Sequence, residues 1–117
     1  MGVRDKLRNL TAGTQEIEQG RLSTRYAGIG ATCIADAPLR VKTRIAGEIT
    51  SIRVVPRAGS PSLEVTVNDG TGLAVAIFTG RTRIPGVNPS KGIALDGVAR
   101  RERKRILLLN PAYQLLS

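Results

Sequence analysis

In LEVTVNDGTGLAVAIF, residues 63–78, apolar and polar side chains alternate, break at a turn and alternate again. Leu63, Val65 and Val67 share one parity while Glu64, Thr66 and Asn68 take the other, the pattern of a half-buried strand. Asn68 to Gly72 supplies residues that tolerate positive φ, so the chain is expected to turn back there as a hairpin. On the return, Leu73, Val75 and Ile77 oppose Ala74, Ala76 and Phe78. The larger set is expected to fill the core, which leaves Phe78 facing outward beside two small alanines. A ring buried at the end of the sheet is the other placement the pattern allows.

Upstream, Val41, Thr43 and Ile45 alternate with Lys42 and Arg44, and the run continues through Gly47 to Ile49, Ile52 and Val54. Ile49 and Ile52 have opposite parity, so a bulge or bend is expected at Gly47 or at Thr50-Ser51. PRAGSP, residues 56–61, reads as a turn. Downstream, GRTRIPGVNPS, residues 80–90, holds two prolines and two glycines and excludes a good helix. Ile93, Leu95 and Gly97-Val98 form a fourth strand, RRERKR a charged turn at 100–105, and Ile106 to Leu109 a fifth. Asn110-Pro111 stops the ladder, and Tyr113, Leu115 and Leu116 are expected to close back on the body.

Five strands between residues 41 and 109 are too few for two broad packed faces. They predict an all-β domain, a five-stranded Greek-key barrel, with Gly47, Gly72, Gly92 and Gly97 where tight coiling excludes side chains. An open antiparallel sheet covered by an N-terminal helix is the alternative. That helix is expected over residues 3–17, where Val3, Leu7, Leu10 and Ile17 share a face, weakened at Gly13. Glycines at 20, 28 and 30 predict a loose connection over residues 20–31. The division is therefore an N-terminal helical arm and linker, 1–37, and a barrel, 38–117.

The charge is lopsided: 18 Lys and Arg against 9 Asp and Glu, a net +9, in a chain of 117 residues. Arginine dominates, and its planar fork suits phosphate, so polyanionic partners are expected. There is no histidine and one cysteine, Cys33, which excludes an internal disulfide and a multi-cysteine metal site. No metal or cofactor is expected. Asp69 reads as a turn cap rather than half of a pair with Asp96, Asp36 as a local cap, and Cys33 as an inert, partly buried thiol. No catalytic set emerges, so the chain is not expected to be an enzyme. No apolar run approaches 18 residues and MGVRDKLRNL has no apolar leader segment, so no membrane and a cytoplasmic location are expected.

Several features together carry a resemblance: AGEITSIRVVPR, the DGTG hairpin, Gly92 to Val98, and the ending NPAYQLL. The run from Ile45 to Leu116 resembles OB-folds of the tRNA-anticodon and helicase type, above all the wedge domain of RecG-type branch-migration helicases. With Ile34-Ala35-Asp36-Ala37-Pro38-Leu39-Arg40 ahead of it, the chain also looks like short stand-alone actinobacterial OB-fold proteins. The resemblance implies binding of single-stranded or branched DNA, or RNA. No G-x-x-x-x-G-K-[ST] phosphate loop occurs, so no motor activity is expected.

An OB barrel offers the surface of its second and third strands, flanked by the loops joining strands 1–2 and 4–5. Those loops carry Arg53 and Arg57, and Arg100, Arg101, Arg103, Lys104 and Arg105; Arg81 and Arg83 follow the third strand. All are expected to converge on one rim, with Phe78 available for stacking. The charges at 100–105 would also serve simply to keep a sheet edge from aggregating. With only Tyr26, Phe78 and Tyr113 as aromatics, binding should be modest, salt-sensitive and weakly sequence-specific. The competing expectation is a protein-interaction adaptor, docking on a partner or a second copy through the N-terminal arm.

Overall fold

The computed structural model describes residues 17–26 and 29–116, so the helix expected over 3–17 lies, but for its last residue, outside the described part. Six strands follow a helix, α1 (residues 17–26), and a single 3-10 turn at Ile34–Asp36. They are β1 (Lys42–Arg57), β2 (Ser60–Asn68), β3 (Leu73–Thr79), β4 (Gly92–Glu102), β5 (Arg105–Leu109) and β6 (Ala112–Leu116). The sheet order is β1-β2-β3-β5-β4-β6, and β1 also pairs with β4, which closes the first five strands into a barrel. All pairs are antiparallel except β3 with β5. This is the Greek-key barrel of the OB-fold.

A circuit of neighbours runs from Gly92 to Glu48, Asn68 and Leu73, then through Arg105 to Glu102. It returns to β4 ten residues beyond its start (92 to 102), so the strands tilt steeply and the interior is narrow. One apolar cluster fills it, including Ile45, Ile49, Leu63, Val65, Val67, Ile93, Leu95, Ile106 and Leu108. Ile34 of the 3-10 turn joins it at the end where β3 and β5 begin, and Ile84 and Val87 of the β3–β4 connection join it at the other.

The narrow interior reverses the expected parity of β3. Leu63 pairs with Phe78, Val65 with Ala76 and Val67 with Ala74, and all six face the core. Alanines fit where the opposing strand already brings branched side chains to the axis. Val75 and Ile77 instead point outward, where they form a separate buried cluster with Leu107 of β5. Leu73 is left exposed.

The predicted turn at 56–61 shrinks to Ala58-Gly59, with φ of 50° and 81°, the two-residue geometry that matches strand twist. Pro56 and Pro61 lie opposite one another in a ribbon beyond the barrel, where neither proline's missing N–H breaks a central ladder. The bulge falls at Thr50, between the pairs made by Ile49 and Ser51. Gly47 has a different role: a Cβ there would lie 2.7 Å from both the Asn68 carbonyl and Val67 Cγ1. It lets β1 fold across β2 without a bulge of its own.

Part of the loose connection expected over 20–31 is helical, and that helix is welded to the barrel. Leu22 and Tyr26, one turn apart, bury against Ala46 of β1 and Ala94 of β4, while Ile17 is exposed. Burial of Leu22 contributes about 1.5–3 kcal/mol. Arg21 donates to Glu48 at 3.0 Å, Arg25 lies 3.7 Å from the same carboxylate, and Gly70 abuts the backbone of Gln19 and Ser23.

A basic hairpin and an aromatic notch

RRERKR is mostly strand. Arg100, Arg101 and Glu102 belong to β4 and Arg105 to β5, so the turn is only Arg103-Lys104, with Arg103 at φ 58°. Arg101 pairs with Ile106 and so shares the inward parity, but it sits at the barrel mouth, where a guanidinium can leave the apolar interior for water. There Arg101, Lys104 and Arg105 line a shallow depression of about 210 Å³ with Ala35, Thr71 and Gly72. Arg40 joins this end: its N–H donates to the Ala99 carbonyl at 2.8 Å, beside Arg100. Of these cations only Arg105 has an acidic neighbour, Glu102 at 4.0 Å; the rest make no ion pair among the described residues.

The floor of this end is stitched by Asp69. One carboxylate oxygen accepts from the Thr71 N–H, the Thr71 hydroxyl and the Gly72 N–H, and the other from the Ile34 N–H at 2.8 Å. Asp69 is thus the turn cap expected of it, and Asp96 is engaged by Arg44 at 2.8 Å. Cys33 is exposed, not partly buried as expected.

The expected single rim does not form. Ser60 and Asn68 bound β2, and the β1–β2 tip lies beyond the first while the β4–β5 tip lies level with the second. Eight residues of strand separate them, about 26 Å. Arg81 and Arg83 follow the end of β3, and the Gly80 N–H donates to Pro61, so they belong with Arg53 and Arg57. Arg53 and Arg57 are also not free cations: both converge on Glu64, at 3.3 and 3.7 Å. Glu64 is buried, 7% exposed, on the outer face of β2. On the same face Ser62, Val75, Ile77 and Leu107 are 0–2% exposed.

Phe78 is buried rather than outward, 5% exposed, and meets Tyr113 edge-to-face at 5.8 Å between centroids. The exposed ring is Tyr113 itself, at 39%. With Arg81, Asn110, Pro111 and Ala112 these two rings line an open notch of about 300 Å³. Sequence reasoning missed Tyr113, Arg40 and Glu64 as parts of the surface. Arg40 and Tyr113 lack a local signal, because each acquires its place through β4, far away in the chain. The alternation did mark Glu64 as outward, without revealing that it would bind two predicted site arginines.

Among the described residues no three or more of His, Cys, Asp and Glu cluster in a way that could hold a metal ion. No helix among them is long and apolar enough to cross a membrane.

No family model and no curated protein matches the sequence. Solved structures do match the fold. The replication factor A-related protein from Methanobacterium thermoautotrophicum superposes with a TM-score of 0.57 at 16% identity, over 74% of this chain and 90% of that one. A replication protein A heterotrimer bound to single-stranded DNA gives 0.50 at 13% identity, over 71% of this chain and 62% of that one. The Stn1-Ten1 complex of S. pombe gives 0.50 at 18%, over 70% and 62%. The chain thus spans about three fifths of the length of the latter two chains it matches.

Proposed function

We propose that this protein is a non-catalytic nucleic-acid-binding module whose main contact is the β4–β5 hairpin. The observation that carries the reading is the set Arg40, Arg100, Arg101, Arg103 and Lys104, at one end of the barrel with no carboxylate pairing any of them among the described residues. Unpaired guanidinium groups release counterions when they meet phosphate, and the affinity they supply is salt-sensitive and poor at reading sequence. The neighbouring folds add support, since one of them is described as bound to single-stranded DNA. Arg81 and Arg83 form a second, smaller basic group. Arg53 and Arg57 contribute less, because Glu64 offsets them. The sequence resemblance to RecG-type wedge domains makes branched DNA a ligand to set beside single-stranded DNA and RNA.

A second reading, a protein-contact module, is favoured by the description of two matched structures as a heterotrimer and a complex. The described part of the arm, α1, already spends its apolar face on the barrel.

The test is fluorescence polarisation with labelled single-stranded DNA, RNA and a DNA junction at low and moderate salt. Binding to at least one of them, weakening steeply with salt, is expected. Absence of binding to all three at low salt excludes the reading and leaves the protein-contact role.

A further inference from the structure

The notch at the opposite end of β3 from the basic hairpin has a construction the hairpin lacks. Its back is Phe78, held in the core, and its wall is Tyr113, whose ring stands at 82° to Phe78 and stays partly open to solvent. The Asn110 side chain fixes the corner leading into that wall. Its carbonyl oxygen accepts from the Thr79 N–H at 2.9 Å, and its backbone N–H donates to Ile77 at 2.7 Å. Pro111, buried, then sets the direction of β6. Arg81 lies on the rim, exposed and without an ion pair among the described residues. A volume of about 300 Å³ is at the small end of pockets that hold organic ligands. An aromatic face beside an unpaired cation matches the two chemistries of a nucleotide, a flat π-surface and a phosphate.

We propose that this notch receives one unpaired base of a bound strand, stacked on Tyr113, with an adjoining phosphate against Arg81. The proposal rests on the nucleic-acid reading above and adds a discrete base subsite to it. From the Leu73 row, level with the basic hairpin, to Thr79 beside the notch is six residues, about 20 Å, so a single strand could reach both. The hairpin holds phosphate without regard to bases; the notch needs a base.

The test compares a labelled thymidine oligonucleotide with an abasic oligonucleotide of the same length, at fixed low salt. Tyr113→Leu should weaken thymidine binding roughly five- to 150-fold, the range for one stacked base, and leave abasic binding unchanged. Tyr113→Phe should bind like the unaltered protein, and Arg81→Gln should weaken both ligands. A measurement without substitution guards against a misfolded variant: the chain has two tyrosines, Tyr26 is buried, and stacking should quench the emission of Tyr113 with thymidine but not with the abasic strand. Equal binding of thymidine by Tyr113→Leu and the unaltered protein, or equal quenching by the two ligands, overturns the notch and leaves the hairpin reading intact. If the unaltered protein binds neither strand, the notch falls, and the nucleic-acid reading is decided by the RNA and junction ligands.

Discussion

Arg103 occupies a backbone conformation that L side chains other than Asn and Asp seldom take, with φ at 58°. A left-handed residue costs about 1–2 kcal/mol, and glycine would avoid most of it. Holding an arginine there makes sense if the charge is used. Arg103→Gly should therefore match the unaltered protein in unfolding free energy or exceed it by up to about 1 kcal/mol, measured by denaturant titration, yet bind oligonucleotide more weakly; weaker binding at undiminished stability separates use from architecture. Glu64 offers the converse. Its carboxylate holds Arg53 and Arg57, so Glu64→Gln should raise oligonucleotide affinity a few-fold at low salt by freeing both, as polarisation would measure. Tyr26 concerns stability alone. Its hydroxyl is buried without a hydrogen-bond partner among the described residues, and burial raises its pKa above the ordinary value. The folded state holds that proton more tightly than the unfolded chain, which releases it near pH ~10. Stability from this group is full below that pH and is lost as pH climbs through the folded value. Denaturation of Tyr26→Phe at pH 8 and 10.5 should show a smaller alkaline decline, and no loss at pH 8 from a missing hydrogen bond.

Among the elements, α1 depends on a close approach at Gly70, where φ is +90° and a Cβ would lie 2.3 Å from the Gln19 carbonyl. Gly70→Ala should lower stability by about 1–3 kcal/mol through overpacking, and hydrogen exchange should locate the loosening in residues 22–26. The docking of this helix was not legible from its sequence, because Leu22 and Tyr26 find their partners in the small residues Ala46 and Ala94, which no local pattern marks as a seat. The strands were legible wherever one face is polar, as in β2, where Leu63, Val65 and Val67 face the core as the alternation requires. The rule failed on β3, where both faces are apolar and size alone ranked Val75 and Ile77 above Ala74 and Ala76. That reversal moved Phe78 from surface to core and made Tyr113 the available ring. The turn boundaries failed for another reason: Arg100, Arg101 and the prolines at 56 and 61 are all compatible with strand once a partner lies on only one side or the chain runs into solvent.

For the whole molecule, closure is what turns scattered cations into a surface. Arg40 and Arg100 are 60 positions apart in the chain, and only the antiparallel register of β1 with β4 sets them together. The same closure separates the two halves of the predicted site, because the β1–β2 and β4–β5 tips lie at opposite ends of the strands. A steep salt dependence should thus come chiefly from one end. Replacing Arg101, Arg103 and Lys104 together by Gln should reduce the slope of log K against log salt by about 2 for a single-stranded ligand, near 0.7 per lost contact. The most direct measurement is amide chemical-shift mapping of the labelled protein during titration with a single-stranded oligonucleotide. Shifts centred on residues 100–105 and Arg40 are the predicted result; a ligand that binds while those amides stay still would contradict the account.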